Sequence, residues 1–294
     1  MKDTKTVAKN HGKKESRAQE VWRRMRKNVG AMCGLGVIII FALCAIFANV
    51  ICSEEMIALQ DATIRLQGPS AEHIFGTDGY GRDIFTRIIF GARISLTIGL
   101  FTAFFALIIG GTLGAAAAFY GGKVDDIIMR IMDIFTAIPG TLLALAIVAA
   151  LGASMVNLLI AITISSIPGF TRLIRSSVLT VVESDYVEAA RACATKDGRI
   201  ITRHILPNAI GPIIVQTTSS ISGMILQASG LSFIGMGVQP PTPEWGSMIS
   251  ESREFMRVAP HMMIFPGACI ILAALSFNLI GDGLRDAFDP RLRD

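Results

Sequence analysis

Charge is scarce in this chain. Asp, Glu, Lys and Arg make up only 17% of its 294 residues against 52% hydrophobic ones, and the charged positions cluster instead of spreading as over a water-facing surface. That distribution excludes an ordinary soluble domain and places the chain among membrane proteins. Signatures of local catalysis are missing as well. There is no G-x-x-x-x-G-K-[ST] phosphate loop, no H-E-x-x-H helix and no G-x-S-x-G elbow, so nucleotide, metalloprotease and hydrolase chemistry have no local support. The four histidines, His11, His73, His204 and His261, fall in tails, loops or span ends, which argues against a haem or di-metal site within a bundle. Cys33, Cys44, Cys52, Cys193 and Cys269 are scattered without metal or disulfide spacing and read as small apolar fillers. No metal and no cofactor bound by this chain are expected.

What is present is length of apolar sequence. Six runs, Gly30–Cys52, Ile94–Tyr120, Ile127–Leu151, Val156–Leu179, Ala209–Met236 and Met262–Gly281, are long enough to cross a hydrocarbon core of about 30 Å at roughly 1.5 Å per helical residue. The fold class expected is an all-α membrane protein with six transmembrane helices. The first run is about twice the length of a signal-peptide core and follows a long polar tail, so cleavage is not expected; Cys52 lacks the small residue of a lipid-anchor site. Gly110, Gly114 and Ala118 recur every four residues, a ridge that lets helices approach closely in lipid. Pro139, Pro168 and Pro266 predict kinks that a bundle tolerates. Ionisable residues avoid the middle of each run, with Asp133 and Arg172 near one end and Asp282 at the exit of the last. An unpaired charge at mid-membrane costs roughly 2.5 to 3.5 kcal/mol, and proton-driven carriers keep one for function. A proton-coupled carrier is therefore not expected, while sodium held by backbone carbonyls stays open. Uphill movement of solute would draw its energy from another subunit.

Basic residues set the orientation. Ten lie between Lys2 and Lys27, and eleven more (Lys123, Arg130, Arg172, Arg175, Arg191, Lys196, Arg199, Arg203, Arg285, Arg291 and Arg293) fall on the same side after an even number of crossings. Only Arg65, Arg82, Arg87, Arg93, Arg253 and Arg257 fall opposite. The positive-inside rule then places both termini in the cytoplasm. The net charge of +4 needs no nucleic-acid partner, because a basic tail before a first span is an ordinary topology signal. The chain divides into a cytoplasmic tail (1–29), a six-helix domain (30–284) and a short cytoplasmic tail (285–294). Residues 53–93 and 237–261 are external loops, and 180–208 form a cytoplasmic one.

That cytoplasmic loop is the longest polar interruption between apolar runs on the basic side. Tyr186 to Asp197 predicts a short helix, with Glu188 and Arg191 as an i, i+3 pair, alanines leaving little bulk, Gly198 ending it and Pro207 opening the next span. Two readings fit: a helix gripped by a soluble partner, or an amphipathic helix lying on lipid. In the fifth run Gln216, Ser220, Gly223 and Gln227 form one stripe, with Thr217 and Ser219 beside it. It lines a pathway or bonds helices together. Outside, Trp245, Arg82 and Asp83 are candidates to meet a delivering protein, against an interfacial anchor for Trp245 and a structural role for the other two.

Several blocks carry a resemblance. GluAlaAla at 188–190 followed by IleLeuPro at 205–207 resembles the EAA loop of bacterial ABC-importer permeases. GlyThrAspGlyTyrGlyArgAsp (76–83), GlyAlaArgIleSerLeu (91–96), GlyLeuSerPheIleGlyMetGlyVal (230–238), ProGluTrpGlySerMetIle (243–249) and PheAsnLeuIleGlyAspGlyLeuArgAspAlaPheAspProArg (277–291) resemble the dipeptide/oligopeptide/nickel permease family, in its C-type subunit. The resemblance runs from about Pro69 to the C-terminus. It implies a type I importer (MetI-like) permease fold in the bacterial inner membrane. It also implies a heterodimer with a homologous permease, two cytoplasmic ATPases that hold the ATP and magnesium, and an extracytoplasmic solute-binding protein, all in contact with membrane lipid. It assigns ATPase coupling to Tyr186, Glu188, Ala189, Ala190, Arg191, Ala194, Asp197 and Gly198. The family loop usually has glycine where this chain has Ala194, and the added methyl is expected to shift the turn. Peptides are the first cargo, with nickel or a metal chelate as the alternative. A membrane receptor or scaffold is the reading from a different class.

Overall fold

In a computed structural model the described residues are 17–289. His11, the basic residues before Arg17, and Arg291 and Arg293 lie outside the described residues, as do most of the two expected tails. Helix α1 (Arg17–Met25) turns into α2 (Val29–Ile46), where the Asn28 side chain accepts from Ala31 N and so satisfies one of the helix's orphan donors. Two short helices, α3 (Ala48–Ile51) and α4 (Glu55–Ala58), lead to α5 (Ile84–Tyr120). There follow α6 (Gly122–Thr136), α7 (Gly140–Leu151) and α8 (Met155–Val182), then α9 (Asp185–Ala192) and α10 (Asp197–Ile200). A π-helical stretch, 201–205, joins α10 to α11 (Leu206–Phe233), and α12 (Trp245–Ser252) precedes α13 (His261–Phe288). Among the described residues the β content is a single bridge, Thr77 to Asp83. Five helices are long and apolar enough to cross a membrane, and α6 with α7 passes the same test as a bent sixth.

The third crossing differs from the single kinked helix expected over 127–151. It is two helices meeting at 79°. Pro139 has no N–H to give and disfavours helical geometry at Ile138, so α6 stops and α7 restarts. The second crossing starts ten residues earlier than its apolar run, at Ile84, with the Asp83 side chain accepting from Thr86 N. Arg87 and Arg93 hide that turn from hydropathy, and the external loop expected over 53–93 ends at 83.

Packing follows the small-residue ridge. α5 and α8 share the most extensive interface of the bundle. A Cβ on Gly110 would stand 2.7 Å from Phe170 Cβ, and one on Gly114 only 2.4 Å from the Thr171 carbonyl oxygen, so the backbones touch where side chains would hold them apart. Without a hydrophobic drive between helices in lipid, this close fit supplies the attraction.

At the end of the bundle that carries 53–83 and 234–260, here called the cap end, charges are buried in balance. Asp78 Oδ2 accepts from Arg82 Nε at 2.6 Å and Arg87 Nη1 at 2.7 Å, and Glu251 Oε2 accepts from Arg82 Nη2 at 2.9 Å and Arg87 Nη1 at 2.7 Å. Two cations and two anions cancel, which is how such groups tolerate burial. Trp245 is 0% exposed; its Nε1 donates to the Ile88 carbonyl at 3.1 Å and its ring tilts against Phe41. Glu244, also buried, caps α12 by accepting from Gly246 N and Ser247 N, and accepts from Ser95 Oγ of α5 at 3.3 Å. Burial pushes the Glu244 carboxyl above the ordinary carboxylate range, against the lowering pull of these donors.

Glu244→Ala leaves two N–H groups without a cap and is expected to cost about 1–3 kcal/mol in thermal or denaturant unfolding of the purified protein. Because the folded pKa is raised, the stability Glu244 contributes is complete below the ordinary carboxylate pKa and is lost as pH rises through the raised value. Glu244→Gln should flatten that decline. Parallel pH profiles for wild type and the Gln variant would assign the decline to another group.

Candidate functional site

The opposite end, the loop end, carries α9. Its sequence is polar except for one side, and that side pins it. Val187 is fully buried, as are Ile200 and Ile205 after it, in a cluster with Ala115, Phe119, Ile174 and Val178 of α5 and α8. Apolar residues in an otherwise charged stretch were the available signal for these anchors. Tyr186, Glu188, Ala189, Arg191, Ala194, Asp197 and Gly198 are exposed and Ala190 is half-buried, so seven of the eight coupling candidates face outward from a fixed base. The Arg191 guanidinium lies 4.9 Å over the Phe119 ring. The expected Glu188–Arg191 pair does not form among the described residues; an exposed i, i+3 pair is worth only a few tenths of a kcal/mol, and the ring competes for the cation.

The helix ends earlier than expected. Ala194 N donates to Arg191 O at 2.9 Å and Thr195 N to Ala190 O at 3.2 Å, the paired bonds of a Schellman cap. Ala194 therefore adopts φ +53°, a left-handed conformation that glycine enters freely and alanine does not. The turn is kept and the methyl is carried in it. Gly198 does not end α9; it lies in the first turn of α10. Nor does Pro207 open a separate helix: α10 runs through the π-helical stretch into α11, and Leu206 N donates back to Ile201 O where the proline denies a regular bond.

Along α11 the two faces separate. On one, Ser222 Oγ donates to Asn278 Oδ1 of α13 at 2.8 Å, and Ser219 sits where Gly281 leaves room. On the other, Gln216 and Gly223 are exposed, Ser220 and Gln227 are half-buried, and a Cβ on Gly223 would meet nothing within 4 Å. Thr217, half-buried, and Ser220 spend their hydroxyls on Ile213 O (2.7 Å) and Gln216 O (2.8 Å) of their own helix. Gln227 Nε2 reaches the Gly140 carbonyl at 3.5 Å, so the stripe faces the break in the third crossing. From the other side Arg172 Nη2 reaches Asp133 Oδ1 at 2.9 Å and Thr136 Oγ1 at 2.7 Å, and Arg175 Nε donates to Asp125 Oδ1 at 2.6 Å.

Of the three external candidates, Arg82 and Asp83 take the structural alternative, and Trp245 is neither an exposed contact nor an interfacial anchor. Trp245 is sealed inside the cap, Arg82 is 2% exposed in the four-ion network, and Asp83 caps α5 while its Oδ1 lies 3.0 Å from His73 Nδ1. They hold the cap together and offer no surface for docking. Exposed side chains at that end include Tyr80, Met256, Arg257 and Val258.

Known proteins share this arrangement. A chain of the MetNI methionine ABC transporter, solved in inward-facing conformations, superposes with a TM-score of 0.57 at 16% identity, over 69% of this chain and 97% of that one. Such a likeness shows the fold, that of an ABC-importer permease. Residues 110–294 match the family described as binding-protein-dependent transport system inner membrane component, and 16–69 match the N-terminal transmembrane domain of oligopeptide transport permease C. The chain belongs to this family of permease subunits, in the C-type branch, and is not an enzyme. Among its relatives, a dipeptide transport system permease protein of Alkalihalophilus pseudofirmus is 52% identical over 94% of this chain and 90% of its own length. A glutathione transport system permease protein of Pectobacterium atrosepticum is 45% identical over 94% and 91%.

Ala194→Gly removes a left-handed penalty of about 1–2 kcal/mol while adding unfolded-state entropy worth about 0.4–1 kcal/mol. A net gain on the order of 0.5–1 kcal/mol is expected, read as slower hydrogen exchange at Cys193–Lys196. Faster exchange in the glycine variant would show that the alanine turn is not strained.

Proposed function

We propose that this chain is one of two homologous permease subunits of an ATP-driven importer of di- and oligopeptides. The loop end and both termini lie in the cytoplasm, and two partner ATPases holding ATP and magnesium bind there. A solute-binding protein delivers cargo at the cap end, meeting Tyr80, Met256, Arg257 and Val258 in place of Trp245, Arg82 and Asp83. The observation that carries the coupling role is α9 itself: an exposed helix fixed to α5, α8 and α11 by Val187 and the residues after it. Closure of the ATPases pushes on that helix, and because its anchors lie between three crossings, the push rocks them together between inward-open and outward-open states. Support for peptide cargo comes from the relatives: one is named for dipeptides and another for glutathione, itself a peptide. The open face of α11 offers amides, hydroxyls and bare backbone at Gln216, Thr217, Ser220, Gly223 and Gln227, neutral chemistry that passes peptides of varied side chain.

Glu188→Lys reverses an outward-facing carboxylate and is expected to weaken ATPase docking at least about tenfold. Co-purification of the ATPases and substrate-stimulated ATP hydrolysis read the loss; both unchanged would remove α9 from the interface. Ser220→Cys separates pathway from packing. Labelling by an aqueous thiol reagent, protected by added peptide, is expected, and a thiol closed to the reagent in every nucleotide state would make the stripe a helix contact.

A further inference from the structure

Helix α1 carries none of the coupling or pathway candidates. It docks by one side only. Val21 and Met25 pack on Ala31, Leu35, Leu284 and Ala287; Arg24 pairs with Glu20 at 2.7 Å and donates to Asp289 O at 3.4 Å. Asn28, which caps α2, donates to Asp286 Oδ2 at 3.0 Å and ties the corner to α13. Trp22 and Arg23 of α1, with Arg26 and Lys27 in the turn that follows it, fall on the remaining side, and all four are exposed. Arg26 N donates to Trp22 O at 3.0 Å, which sets those two side chains one turn apart along the same edge.

That edge borders an open crevice of about 1050 Å³ between α1, α11 and α13. Its walls are mostly apolar, with Val21, Trp22, Met25, Ile210, Ile214 and Leu284 among them, and Arg24 and Arg285 stand at its mouth. The acids nearby are engaged: Glu20 by Arg24, Asp286 by Asn28, and Asp282 lies 3.8 Å from Arg285. Cations just before a first span, next to an apolar slot, complement a lipid with a negative head group. A protein helix in the same slot would strip water from Arg26 and Lys27 without neutralising them, whereas a phosphate diester pairs with them where they stand.

We infer that α1 and this crevice form a binding site for an anionic phospholipid, with an acyl chain along Trp22, Ile210 and Ile214 and the phosphate held by Arg26 and Lys27. Trp22 reports on it directly, because this chain's other tryptophan, Trp245, is buried. The assembled transporter is placed in nanodiscs of mixed phosphatidylcholine and phosphatidylglycerol, with brominated chains on one lipid or the other at equal amount. Subtracting the signal of a Trp22→Phe variant isolates Trp22. Bromine on phosphatidylglycerol is expected to quench Trp22 well beyond that lipid's share of the bilayer. The paired substitutions Arg26→Gln and Lys27→Gln, both at exposed positions, should lower this preference on the order of tenfold, and raised salt should lower it in the same direction. Equal quenching by the two lipids overturns the inference. So does an absence of quenching because a protein partner covers Trp22, or a preference that survives in the double variant.

Discussion

Hydrocarbon offers no partner to a peptide N–H or C=O, and the rest of this structure follows from that. Crossings must be helices, and any departure from helix must sit against protein or an aqueous cavity. The break between α6 and α7 obeys this rule. The α7 helix alone, twelve residues, spans only about 18 Å of a core near 30 Å, so α6 must complete the crossing. Arg172 from α8 and Gln227 from α11 converge on the two sides of the gap. The irregular backbone is therefore held among polar side chains, on the same face as the stripe of α11. A broken span and a polar face in one place are two consequences of one requirement, since neither is stable against lipid alone.

Charge is spent differently at the two ends. At the cap, Asp78, Arg82, Arg87 and Glu251 are almost wholly buried, and removing one partner would strand the others at a cost of several kcal/mol. Such a network adds little net stability but admits only one register between the start of α5 and α12. At the loop end the Arg172–Asp133 pair has 42% and 59% of its side chains exposed, in the range where ion pairs contribute about 0–1 kcal/mol. One end is locked and the other yields, which suits a bundle pushed from the yielding end.

Much of the fold was legible because lipid enforces long apolar runs. Two of the misses share a cause: they depend on partners far away in sequence. Arg87 and Arg93 cut the second run short, yet Arg87 is neutralised by Asp78 and Glu251, and Arg93 donates to Ala45 O of α2 and Asn49 Oδ1 of α3. Trp245 sits in a loop that reads as an exposed tip. Its burial requires Gly91, where a Cβ would stand 2.9 Å from the indole. In the coupling loop the helix was visible from its alanines, but glycine at 198 was the wrong stop signal. The backbone takes its left-handed turn four residues earlier, at an alanine, because hydrogen-bond closure from Thr195 to Ala190 outweighs the preference of a single residue.

The stripe was visible by period, and its chemistry bears on how the proposed importer must be driven. Its hydroxyl protons are already committed to carbonyls one turn back, which leaves amide groups, hydroxyl oxygens as acceptors and bare backbone to meet a cargo. Contacts of that kind differ little between two arrangements of the helices, and a ligand with equal affinity for two states shifts neither. Cargo in such a conduit therefore cannot supply the work of reorienting it. The bias has to enter where differential contact is available, and the place proposed within this chain is the helix from Asp185 to Ala192, exposed on its outer side and locked to three crossings on its inner one.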